Sequence, residues 1–179
     1  MKTAKTDPRQ LNSRAQRGSM SRFPAETVLG FALTWCVLIT GLVSLQLYLI
    51  GQAFSERTLA VVFMFVAGSF LGGLFACAFA WLITRWHNQP SARFAAMFIG
   101  LSCGTVGMTA LIHYLHFRSY FADEHSPVFT IYWVFETLMT GASSAYIFTV
   151  EGMQLLLPWG LPLLFAAAWD YARSGNTRR

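Results

Sequence analysis

Charge is scarce in this chain. Only 12% of its 179 residues are Asp, Glu, Lys or Arg, against about 25% in an average soluble domain, which excludes a water-facing surface over most of the molecule. Cysteine is scarce too: Cys36, Cys77 and Cys103 each sit within apolar sequence and read as small apolar residues. No Walker-type loop, GxSxG, HExxH or CxxC is present, and the connections between apolar blocks are too short for a separate catalytic domain. Ser143 and Ser144 could be combined with Glu151 and the histidines on paper, but nothing in the sequence positions them as a hydrolase. Proline-interrupted segments do not occur in pairs, so the internal repeat of a secondary transporter is missing. A non-enzymatic chain is expected.

What is abundant is apolar sequence in long blocks. Hydrophobic residues make up 55% of the chain and the mean hydropathy is +0.46. Three blocks, 25–50, 59–86 and 92–117, each exceed the roughly 20 residues that cross a hydrocarbon core of about 30 Å. The 24 mostly polar residues ahead of the first block, and that block's length, argue against a cleaved signal, so the first helix is read as retained. The last apolar region, 127–169, is too long for one span and barely enough for two.

Arginine and lysine resist translocation, and their distribution orients the chain. Lys2, Lys5, Arg9, Arg14, Arg17 and Arg22 lie before the first block, Arg85 and Arg93 flank the second connection, and Arg173, Arg178 and Arg179 close the chain. Only Arg57 and Arg118 fall on the other side. Both termini are therefore expected in the cytoplasm, with an even number of spans in a cell inner membrane. The net charge of +5 reads as this topology signal resting on anionic lipid, not as a nucleic-acid interface, since the basic residues are isolated and lack interleaved aromatics.

An even count divides the last region. Ser126 and Pro127 form a helix start, and Val128, Ile131, Tyr132, Phe135, Leu138, Met139 and Ala142 recur at helical spacing opposite Thr130, Trp133, Thr137 and Thr140. The expected fold is an all-α membrane protein: a four-transmembrane-helix bundle with an additional amphipathic interfacial helix, about 127–142, before the last span. In this division Gly141-Ala142-Ser143-Ser144 turns the chain, and the fourth span runs over 145–171, bent by Pro158 and Pro162. The rival division spans 128–150 and lays 155–169 flat on the cytoplasmic face.

Three sets of residues are candidates for function. Glu151 and Gln154, at i and i+3, share a helix face that must meet protein or water, and Glu136 is a second carboxylate in apolar surroundings. Each reads either as a hydrogen-bonding group in helix packing or as a proton- or cation-handling group. His113 and His116 stand one turn apart near Asp123, Glu124 and His125, and His113, His116 and His125 are a candidate divalent-metal set; the alternative is interfacial anchoring. Gly68, Gly72 and Ala76 on the second helix and Gly100 and Gly104 on the third are small-residue stripes for close helix packing. No bound cofactor is expected beyond that metal.

With so few polar groups, the expectation is an accessory or assembly partner of a larger membrane complex, contacting lipid and another integral membrane protein. The alternatives are a small transporter or channel using Glu151, and a metal-binding membrane protein using the histidines.

Overall fold

The computed structural model describes residues 25–52, 55–87, 89–120, 130–157 and 159–174, and among them every regular element is helical. Three long helices come first: α1, Ala25–Leu49; α2, Glu56–Trp86; and α3, Pro90–Tyr120. All three are long and apolar enough to cross a membrane. Local chemistry sets their ends. Gly51, at φ 75°, closes α1 in the left-handed conformation, with the Gln52 N–H donating to the Leu47 carbonyl at 3.1 Å and the Gly51 N–H to Tyr48 at 3.0 Å, the paired bonds of a glycine-terminated helix. Ser55 then caps α2, its Oγ accepting from the Thr58 N–H. That cap starts α2 at Glu56, three residues ahead of the apolar block.

The second and third helices are held together by their small residues. A Cβ placed on Gly72 would come within 2.6 Å of the Thr105 nitrogen and 2.7 Å of the Gly104 carbonyl carbon, and one on Gly104 within 2.7 Å of the Gly72 oxygen. Gly68 lies against Thr109, and Gly100 packs on Ala76. Lipid is as apolar as a leucine side chain, so helices gain little by hiding apolar surface from it; dispersion contact between closely approaching backbones takes over. The two stripes meet each other inside the chain. Against this pair α1 packs through Ala32, which lies on Gly73, and through Trp35, which is 1% exposed and donates from Nε1 to Thr105 Oγ1 at 2.9 Å. Such an interhelical bond contributes about 0.6 kcal/mol on average and at most about 1.7, so it aligns α1 more than it holds it.

The C-terminal third departs from the expected division. The chain does not turn at Gly141–Ser144: α4, Ile131–Ile147, runs through those residues and continues as one turn of π-helix, Phe148–Gly152, and a short α5, Met153–Leu156. The small residues serve as a contact surface instead. Gly141 lets Tyr114 approach a notional Cβ to 3.8 Å, and Ser144 is 1% exposed against α3. The break falls at 157–159, after which α6, Gly160–Ser174, sets off at 70° to the preceding helix. Pro162 lies in the first turn of α6, just past the bend, where its missing N–H removes no helical bond. Pro158 and the Ser126–Pro127 start lie outside the described residues, and the helix start within them is Thr130, whose Oγ1 accepts from the Trp133 N–H.

Three helices can thus cross a bilayer, or four if the bent pair is one broken span. Its two ends lie at opposite ends of the bundle. Near its start Arg118 donates to Thr137 Oγ1 at 2.9 Å and stacks on Trp133. Near its finish Arg93 stacks on Tyr171 at 4.9 Å and Phe98 meets Phe165 edge-on. Since α1 runs antiparallel to α2, with Cys36 donating to the Val66 carbonyl, the described chain begins and finishes at the same end of the bundle.

Candidate functional site

At the opposite end, where α1 finishes and α2 begins, the helices part around a cavity of about 390 Å³. Its position follows from the packing. The glycine stripe of α2 and α3 begins at Gly68 and Thr109, and beyond it toward the helix ends the lining residues, Phe65, Met64 and His113 among them, are larger. The interior is apolar: Phe65, Phe148, Leu155 and Leu47 are all under 10% exposed. Phe65 and Phe148 face each other with ring centroids 6.4 Å apart. Phe65 lies about 14 Å along the α2 axis from Glu56, at 1.5 Å per residue, so the cavity reaches well below the helix ends.

Polar groups stand on this apolar frame in two tiers. Arg57, Glu151, Gln154 and Gln52 are exposed around its rim. His113 and Thr109 lie deeper, with Thr109 1% exposed and donating to the Thr105 carbonyl at 2.7 Å. The ring of His113 is held by α4: its Nδ1 and Ser144 Oγ share a hydrogen bond of 2.9 Å, and the ring lies 6.3 Å from that of Phe148. Arg57 and Glu151, of opposite sign, line the same cavity without an ion pair between them.

The π-turn presents Glu151. Within Phe148–Gly152 the Met153 N–H reaches back five residues to the Phe148 carbonyl, so this turn holds one residue more than its neighbours. Gly152 is needed there because a Cβ would come within 2.7 Å of the Phe148 ring. The resulting bulge puts Glu151 on the cavity wall together with Gln154, the two residues that sequence spacing places on one face. Pi-bulges of this kind are frequent at functional sites.

The remaining sequence candidates divide. Glu136 is half-buried on α4 beside Thr137 and does not line the cavity. His116 is exposed and also outside it, and His125 lies outside the described residues. Among the described residues no three His, Cys, Asp or Glu side chains come together in a way that could hold a metal ion. The contribution of Arg57 was hidden in the sequence, where Glu56 beside it reads as a simple charge offset. Thr109 carried no signal either, since threonine is common in membrane helices; Ser144, named beside Glu151 and the histidines in the sequence but not positioned by it, stands against His113. No protein-family model, curated protein or solved structure matches the chain.

Proposed function

We propose that this chain is a non-enzymatic, multi-pass membrane protein that binds and carries a small polar solute through the cavity beside Glu151. One observation carries the reading: in a chain with little charge, a carboxylate, a guanidinium, an imidazole and a carboxamide converge on one cavity among membrane-spanning helices. Ionisable groups are costly in a bilayer, about 2.5 to 3.5 kcal/mol each at its centre, and they are kept where they face water, a partner or a substrate. The accessory-subunit expectation rested on the scarcity of polar groups; here they are few but gathered. The bent α4–α6 segment counts as the fourth span in this reading, with both termini in the cytoplasm of a cell whose inner membrane holds the protein, as the basic residues direct.

The test is uptake of a panel of radiolabelled amino acids, amines and carboxylates by reconstituted vesicles. At least one solute should accumulate above empty vesicles, and Glu151→Gln should lower that uptake by about tenfold, as expected when a charge-assisted contact is lost. No uptake of any solute would remove the carrier function.

A second reading is favoured by a separate observation. The face of α4 turned away from the bundle is apolar and open, with Ile131 86%, Tyr132 75% and Leu138 65% exposed. In this reading the chain is an accessory or assembly subunit that docks another membrane protein along α4. Purification in mild detergent decides it: a stoichiometric partner lost in Leu138→Ala would support docking, and a clean monomer would leave this face to lipid.

A further inference from the structure

The cavity's charges stand apart instead of neutralising each other, and that separation narrows what fits between them. Arg57 projects from the first turn of α2 and Glu151 from the π-turn on the other wall. Neither has a hydrogen bond or ion pair with another described side chain. Within a low-dielectric setting two opposite charges attract strongly, so a site that holds them apart favours a ligand that bridges them with charges of its own. Phe65, Phe148 and aliphatic side chains make up much of the remaining wall, His113, Thr58 and Thr109 add polar groups, and there is no further carboxylate or guanidinium among the lining residues. The volume of about 390 Å³ sits near the lower end of small-molecule pockets, roughly 300–1,000 Å³; it suits one short apolar body and is too small for two acyl chains.

Resting on the carrier reading of the same cavity, we propose that its ligand is a zwitterion on a compact apolar body, with its ammonium group against Glu151, its anionic group against Arg57 and its apolar part against the Phe65 and Phe148 pair. A free amino-acid-like solute carries this pair of charges on such a body; the headgroup of an ethanolamine phospholipid carries the same pair but brings two acyl chains that the cavity does not hold. Gln154 and Gln52 at the rim supply amide donors and acceptors to the solute. His113, fixed through Ser144, marks the polar floor that the apolar body stops short of.

The experiment uses the full chain in nanodiscs of phosphatidylglycerol alone, probed with radiolabelled phenylalanine, phenethylamine and 3-phenylpropionate, which share one apolar body and differ only in charge. Phenylalanine should bind at least about tenfold more tightly than either singly charged analogue, and Glu151→Gln and Arg57→Gln should each erase that preference. If adding phosphatidylethanolamine to the nanodiscs displaces phenylalanine, and native mass spectrometry finds that lipid retained by the unaltered chain but not by the two variants, the ligand comes from the bilayer and the compact apolar body is overturned. Phenethylamine binding as tightly as phenylalanine, sensitive to Glu151→Gln and indifferent to Arg57→Gln, would overturn the zwitterion while leaving the carrier reading intact. Absence of all three probes and of retained lipid, alongside Glu151-dependent uptake of some other solute in vesicles, would overturn it as well. If uptake is also absent, both readings fall together. Thermal unfolding of each variant at the temperature of the unaltered chain separates lost binding from lost folding.

Discussion

The two halves of this molecule solve the problem of packing in lipid in opposite ways. Between α2 and α3, glycines bring backbone against backbone, and at Gly72 all three nearest atoms are main-chain atoms that cannot move aside. Between these helices and the α4–α6 segment, contact is made by side chains: Ser144 to His113, Thr137 to Arg118, and Phe165 to Phe98. The first interface leaves no room for anything else. The second stands off far enough to leave a cavity, and the ionisable groups collect there. A membrane bundle can thus keep a rigid seam and a hollow side by side, with residue size deciding which forms where.

The largest effect should come from breaking the seam. Gly72→Ala drives a methyl into the Thr105 and Gly104 backbone, so the helices must separate; a loss of about 3 kcal/mol is expected, the upper part of the overpacking range, visible as a strongly lowered thermal midpoint in mild detergent. A midpoint like that of the unaltered chain would mean that the close approach is not what holds α2 to α3. Next comes the bond that aligns α1 on that seam. Trp35→Phe keeps most of the buried ring but removes the donor to Thr105, and should cost about 0.6 to 1.7 kcal/mol by the same measurement. On the hollow side, Glu151→Gln should hardly change stability, by less than about 0.5 kcal/mol, because an exposed group with no hydrogen-bond or ion-pair partner among the described residues is altered; its effect belongs to uptake. The last change is the control, the one expected not to destabilise. Gly107, on α3 but off the seam, has open space where a Cβ would go, so Gly107→Ala should be neutral or stabilise slightly, by less than about 1 kcal/mol. If Gly107→Ala and Gly72→Ala behaved alike, glycine content and not backbone contact would be the cause.

The seam was legible in the sequence because four-residue spacing of small residues has one geometric meaning on a helix. The first three spans were legible for a similar reason: length and hydropathy act over twenty or more residues, and no local detail overrides them. Their ends moved by a few residues where a cap intervened, as Ser55 does for α2. The C-terminal third was not legible in the same way. Gly141 to Ser144 are small and polar enough to suggest a turn, yet the same smallness lets a helix pass close to Tyr114 and His113; which use prevails depends on a neighbour more than twenty residues away. Glu151 and Gln154 could be placed on one face by counting. That Arg57 would share their cavity could not, because no local pattern links the start of one helix to a turn almost a hundred residues later.

One consequence lies in the extra residue of the π-turn. A chain one residue shorter between Phe148 and Gly152 would wind there as ordinary α-helix, and because the wider turn spreads its extra residue over about one turn of rotation, the segments on either side would face nearly as they do now. Only the swelling that carries Glu151 would disappear. The spare residue therefore acts as a local insertion: it changes the wall of the hollow while leaving the contacts of Ser144 on one side and Leu155 on the other in register.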